Sequence, residues 1–372
     1  MADWAQILLW LLAGGAAFVV AAWAHLAFWN PRLDDSDQLP YDELHTLSGH
    51  DGAPYELRRL SPASASGRPP LLMIHGIAFN HRNVDANPQR SLPRWLRERG
   101  YDVWLLTLRS GLPECGRDPR VTFSSMIEQD VPLAVAEVLR RTGAHRLDCL
   151  GFSMGGMLLY AWLSRPASRE SVRRVIIMGS PAIVRSPIPA LNLLRGWPLR
   201  WVPPVLTRRV AQLVAFLADH TKTPFHRLPY NPYNVRDSRV AGMLVGGVQD
   251  IPASLHRDFV RWAWSDQQIT VDGEVVLDGL VDVNKPVLFV AGADDRLASL
   301  RAVRVAYDAW DSDHPGSADK RFLELSVAAG ASADYGHGDM ILGDRAPEEV
   351  YEPIAAFLGA EEASGGVHAD AG

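Results

Sequence analysis

Leu147-Asp148-Cys149-Leu150-Gly151-Phe152-Ser153-Met154-Gly155-Gly156-Met157-Leu158-Leu159 decides how this chain is read. An apolar run of strand length meets a Gly-x-Ser-x-Gly corner, and an apolar run of helical length follows. In that context the pentapeptide is a nucleophile elbow. The strand hands over to the helix within about one residue, so the serine backbone is strained and its hydroxyl projects from the end of the sheet. Gly151 and Gly155 stand where a Cβ would collide across so tight a turn.

The segments on either side repeat the strand-then-helix rhythm. Leu71–Ile74, Val103–Leu106, Val175–Gly179 and Pro286–Ala291 are bare apolar runs, the mark of strands buried on both faces. Ser91–Arg99 and Gln129–Arg141 read as helices between them. Leu44–Ser48 and Tyr55–Leu60 form a hairpin around Gly49-His50-Asp51-Gly52. Leu300–Trp310, Arg321–Val327 and Arg345–Leu358 close the chain as helix, strand and helix. Such alternation predicts a mostly parallel sheet flanked by helices, an α/β fold. The rhythm breaks at Ser180, where about a hundred residues rich in Pro, Trp and Arg intervene, including helical stretches at Thr207–Ala218 and Ser254–Trp264. An insertion capping the top of the sheet is the natural reading.

A serine nucleophile needs partners in the order Ser, acid, His. Val287–Ala291 runs into Gly292-Ala293-Asp294-Asp295, and the last strand leads into Tyr335-Gly336-His337-Gly338. Both positions lie beyond the C-terminal ends of parallel strands, where such sheets place their sites. His337 would take the Ser153 proton, and Asp294 or Asp295 would hold the imidazole in the needed tautomer. Met154 N–H, at a helix start, and Ile77 N–H, after the early strand, are the expected oxyanion hole. His75 precedes the site and is expected to tie that loop down.

The chain has 372 residues, 47% hydrophobic and 22% charged, with a net charge of −6 and two cysteines, Cys115 and Cys149. That charge recruits no nucleic acid, two cysteines make no disulfide framework, and no phosphate loop or zinc-spaced cluster calls for a cofactor or a metal. From Trp4 to Trp29 there is no Asp, Glu, Lys or Arg. That apolar length exceeds the roughly 30 Å hydrocarbon core of a bilayer, and tryptophans at both ends suit its interfaces. One N-terminal transmembrane helix is expected, with a cleaved signal ending near Ala22-Trp23-Ala24 as the alternative. Arg32, the nearest basic residue, leans towards a cytoplasmic catalytic domain. The expected organisation is therefore an anchor over 1–30, a linker over 31–40, a core over 41–179 and 286–359, a cap over 180–285, and a disordered tail over 360–372.

From Tyr41 to Leu358 the chain resembles the α/β-hydrolases. Within them, His75-Gly76-Ile77, Arg90-Ser91-Leu92-Pro93, Gly100-Tyr101-Asp102-Val103-Trp104-Leu105, Arg109-Ser110-Gly111 and Gln129-Asp130-Val131-Pro132-Leu133 are similar to acid lipases of the gastric and lysosomal type. Those lipases carry His and Gln beside the nucleophile, where Phe152 and Met154 stand here. Asp258-Phe259-Val260-Arg261-Trp262-Ala263-Trp264 and Asp282-Val283-Asn284-Lys285-Pro286-Val287 instead resemble polyhydroxyalkanoate synthases, whose nucleophile is Cys. The resemblance implies Ser153 as nucleophile, His337 as base, and Met154 with Ile77 as oxyanion hole. It places the acid three residues after Gly292, at Asp295. It implies a serine hydrolase of carboxylic esters, and a large aromatic insertion on a membrane-tethered chain favours hydrophobic acyl substrates over small polar ones. An acyltransferase or polyester synthase- or depolymerase-like enzyme using the same serine, or a non-catalytic binding module, are the alternatives. Trp197, Trp201, Phe216, Phe225, Tyr230, Tyr233, Phe259, Trp262 and Trp264 of the insertion are candidates either for an apolar tunnel or for the cap's own core.

Overall fold

Alternating apolar side chains send each central strand into two layers at once. β1 (Glu43–Ser48), β2 (Pro54–Leu60), β3 (Leu71–Ile74), β4 (Val103–Thr107), β5 (Leu147–Phe152) and β6 (Val172–Met178) come first along the chain. A short ribbon of β7 (Thr270–Val271) and β8 (Glu274–Val275) follows, then β9 (Val287–Gly292) and β10 (Lys320–Leu325). The structure, a computed structural model, describes residues 2–64, 67–186, 193, 195–236 and 239–360. The Phe225 side chain and the expected tail past Ala360 lie outside the described residues.

Eight strands form one sheet in the order β1-β2-β4-β3-β5-β6-β9-β10. β1 and β2 are the expected hairpin, β2 meets β4 antiparallel, and every later ladder is parallel. On one face Leu72, Ile74, Cys149, Val175, Ile177 and Phe289 pack under the helices Val131–Thr142, Met154–Leu163 and Leu300–Ala309. On the other, Leu71, Met73, Leu150, Ile176, Leu288 and Val290 pack under Leu92–Glu98 and Glu352–Gly359. Burial on both faces is why these strands read as unbroken apolar runs.

The helix expected over Gln129–Arg141 is preceded by one π-helical turn, Met126–Asp130, and runs Val131–Thr142. The widened turn carries Asp130 inward, where its carboxylate accepts Arg109 N at 2.9 Å and Nε at 2.8 Å. Two segments quoted for the lipase resemblance thus meet in a fully buried ion pair. Burial raises Asp130 to about 6 even against the Arg109 charge.

The sequence neighbours β4 and β5 lie on opposite sides of β3. This reversal of winding opens a crevice at the C-terminal ends of β3 and β5, where Ile74 pairs with Gly151. The insertion between β6 and β9 divides its labour. Leu255, Trp262, Ile269, Val276 and Leu280 join the core around Met154–Leu163. Earlier residues cross the crevice: Phe79 bridges Val248, and Gln249 N donates to Ala78 O at 2.8 Å. Helix Ala2–Leu33 stands apart until its last turns, which pack on Thr207–Ala218.

Candidate active site

Ser153 joins β5 to the helix Met154–Leu163 with φ 54° and ψ −120°, a conformation that non-glycine residues rarely adopt. Several contacts hold it there. Its N–H donates to Met178 O of β6 at 2.8 Å, and its carbonyl accepts Gly156 N at 3.0 Å. The turn is tight enough that a Cβ on Gly151 would come within 2.5 Å of Gly156 Cα, and one on Gly155 would overlap the Ile74 carbonyl oxygen. The two glycines are there to let strand, turn and β3 touch.

His337 lies on the loop after β10, 8% exposed, with its ring 4.8 Å from that of Phe152. Its Nδ1 meets Asp295 Oδ2 at 2.7 Å. The other Asp295 oxygen accepts Leu297 N and Ala298 N, both at 2.8 Å, so this carboxylate is held from both ends. With Nδ1–H donating to the carboxylate, Nε2 is left as the basic nitrogen. Asp294 differs: its carboxylate lies 3.8 Å from Arg227 and from Arg296 and takes no part in this bond.

Ser153 and His337 share the wall of one pocket of about 90 Å³. Ile77, Phe79, Phe152, Tyr230, Met243, Leu244, Leu297, Ile341 and Leu342 supply its apolar lining. Among the described aromatics of the insertion, only Tyr230 lines it. Trp262 is buried in the core against Phe123 and Phe259, while Trp197, Trp201 and Tyr233 are exposed. An aromatic's place in sequence says nothing of the direction in which the insertion turns it. Aliphatic Met243 and Leu244, on the helix Ala241–Gly246, face the site instead.

The β3 loop is built around His75. Its Nδ1 meets Gly76 O at 2.7 Å and its Nε2 accepts Leu108 N at 3.0 Å, an arrangement that suits the neutral ring. Burial pushes this imidazole down to about 4. Gly76 N donates to Asn83 Oδ1 at 2.8 Å, and Ala78 turns the chain with φ 60°. Ile77 N–H has no acceptor among the described residues. Met154 N–H opens its helix and has no intrahelical acceptor either.

Sequence reasoning missed Asn83 and the carboxylate that fixes the histidine loop. Asp339 accepts Gly336 N at 2.9 Å, Asn231 N at 2.6 Å and Asn234 Nδ2 at 2.8 Å. The loop is thereby joined to the insertion, where Gly338 N also donates to Pro229 O at 2.8 Å. Burial raises Asp339 to about 6 despite these donors. An acid two residues after a candidate base was the one available signal.

The alpha/beta hydrolase fold family matches residues 69–330. The gastric triacylglycerol lipase of Bos taurus is 26% identical over 159 residues, 38% of this chain and 40% of that protein. Lipase member K of Homo sapiens is 20% identical over 358 residues, 86% of this chain and 88% of the relative. A solved esterase from Thermogutta terrifontis shares the fold with a TM-score of 0.51 at 17% identity, over 85% of this chain and 98% of the esterase. The stretch that matches the gastric lipase is thus less than half of that relative's length. With its parallel sheet, its serine corner and a family match over most of its length, the chain belongs to the alpha/beta hydrolase fold family, close to the lipases.

Proposed function

We propose that this hydrolase cleaves carboxylic esters with apolar acyl groups, through an acyl-enzyme on Ser153. One observation carries the reading. The serine on the strained corner opens into the same pocket as an imidazole whose Nδ1 is held by a buried carboxylate. His337 Nε2 takes the proton as Ser153 Oγ adds to the ester carbonyl. The oxyanion that forms is met by Met154 N–H and Ile77 N–H. His337 then returns the proton to the departing alkoxide, and Asp295 steadies the transient imidazolium. Water, activated by the same ring, adds to the acyl-enzyme and releases the acid. Phe152, Leu244, Ile341 and Leu342 support an apolar acyl group over a polar one.

The helix Ala2–Leu33 fits a membrane anchor. His25 Nε2 meets Leu213 O at 3.0 Å and Trp29 stacks on Phe216 at 5.5 Å, contacts with the folded domain that a removed leader would not supply.

The test is to quench the enzyme during turnover of a p-nitrophenyl ester and map the acyl adduct by mass spectrometry. The acyl mass is expected on the peptide carrying Ser153. Turnover with that peptide unmodified and the acyl group on another side chain overturns the mechanism.

A further inference from the structure

Helix Thr207–Ala218 meets the N-terminal helix at the level of Trp23 to Trp29. His25 and Trp29 pack on Leu213 and Phe216, and the Arg209 guanidinium lies 5.5 Å over Trp23. Above that level the N-terminal helix is uncovered, with Trp10, Leu11, Phe18 and Val20 more than three-fifths exposed. From Gln6 to Ala22 this free part is about 25 Å long at 1.5 Å per residue, close to the hydrocarbon thickness of a bilayer. Helix Thr207–Ala218 therefore stands at the depth where the anchor leaves the lipid.

Its faces are distributed accordingly. Gln212 and Ala215 are buried against the protein. On the opposite side Val210, Val214 and Leu217 form an exposed apolar stripe at helical spacing, extended by Leu206. The exposed rings of Trp197 and Trp201 pair nearby in sequence, 5.6 Å apart. The segment from Arg185 to Arg236 carries eight Lys and Arg against the single Asp219, in a chain whose net charge is −6. Apolar stripe, tryptophans and basic residues together make the composition of a helix lying in a lipid–water interface.

We propose that Thr207–Ala218 lies on the bilayer that holds the anchor, with Val210, Val214 and Leu217 entering the interface beside anionic headgroups. The proposal rests on the anchor reading above. It gives the pocket an approach from lipid, since this helix packs on Ala241–Gly246, whose Met243 and Leu244 line the site. An ester dissolved in the bilayer then reaches Ser153 without crossing water.

The experiment uses the full chain with an environment-sensitive fluorophore on Val210→Cys, and a control probe on Arg140→Cys, an exposed site of the core; Cys115 and Cys149 are buried and escape labelling. The chain is reconstituted into phosphatidylcholine–phosphatidylglycerol vesicles and floated on a density gradient. The expected result is a chain that floats, with iodide quenching at 210 roughly fivefold weaker than at 140, as burial in the interface requires. Equal quenching at the two sites in a floating chain overturns the proposal and leaves the anchor standing. A chain that fails to float overturns the anchor reading and the proposal with it. Cross-linking of two chains through the 210 cysteines assigns the stripe to a second copy and also overturns it.

Discussion

His337 Nδ1 lies 2.7 Å from Asp295 Oδ2, while the Asp294 carboxylate turns outward to Arg227 and Arg296. Two adjacent acids of identical chemistry thus stand in unlike surroundings. Asp295→Asn keeps the size of the side chain but presents the amide or the wrong tautomer to the ring. A drop in kcat of about 10³–10⁴ is expected, by the magnitude that misorienting a catalytic histidine carries. Asp294→Asn removes only a loose, half-exposed ion pair, so kcat is expected to stay within about threefold. Steady-state kinetics on one soluble ester checks both.

Gly155 touches the carbonyl of Ile74 so closely that a methyl group cannot be housed. Gly155→Ala is expected to destabilise the fold by about 1–3 kcal/mol through overpacking, and to lose activity with it. Thermal unfolding followed by circular dichroism measures the first effect.

The depressed His75 pKa sets a pH dependence of stability. Held at about 4 against an ordinary 6.5, the ring binds fewer protons folded than unfolded. The stability it contributes is complete above 6.5 and is lost as the pH falls towards about 4. At 1.36 kcal/mol per unit the loss amounts to roughly 3 kcal/mol. Urea unfolding of wild type and His75→Gln at pH 7 and pH 4 isolates this contribution: the advantage of the wild type is expected to shrink by that amount. An advantage that holds or grows on acidification would place charge on His75 in the folded protein.

The lining of Phe152, Leu244, Ile341 and Leu342 sets the expected acyl preference. A butyryl group carries two more methylenes than an acetyl group. At about 0.8 kcal/mol each, kcat/KM for p-nitrophenyl butyrate is expected to exceed that for the acetate by roughly tenfold. Leu244→Asp should erase that preference.

Much of this arrangement was readable in the sequence because the sheet is buried on both faces. Leu71–Ile74 and Val287–Ala291 carry the mark of interior strands, and the Gly-Phe-Ser-Met-Gly corner between an apolar strand and an apolar helix fits a strand-to-helix turn. Spatial order was not readable. That β4 and β5 flank β3, which creates the crevice, comes from packing and not from any local pattern. Asp294 and Asp295 were inseparable on chemistry alone, and only the three-residue spacing implied by the α/β-hydrolase resemblance favoured one. Arg109 with Asp130, and Asp339 with Asn231 and Asn234, are partners joined across 21 and roughly a hundred residues. Nothing in their neighbours' composition announces them. The aromatics of the insertion show the same limit, since Trp262 faces the core and Trp197 faces outward.

The central claim is that Ser153 is the nucleophile, and a fluorophosphonate probe tests it most directly. Wild type is expected to be labelled covalently, with labelling abolished in Ser153→Ala and the circular dichroism of that variant unchanged. Labelling that persists in Ser153→Ala, or a folded wild type that takes up no probe, would contradict the account.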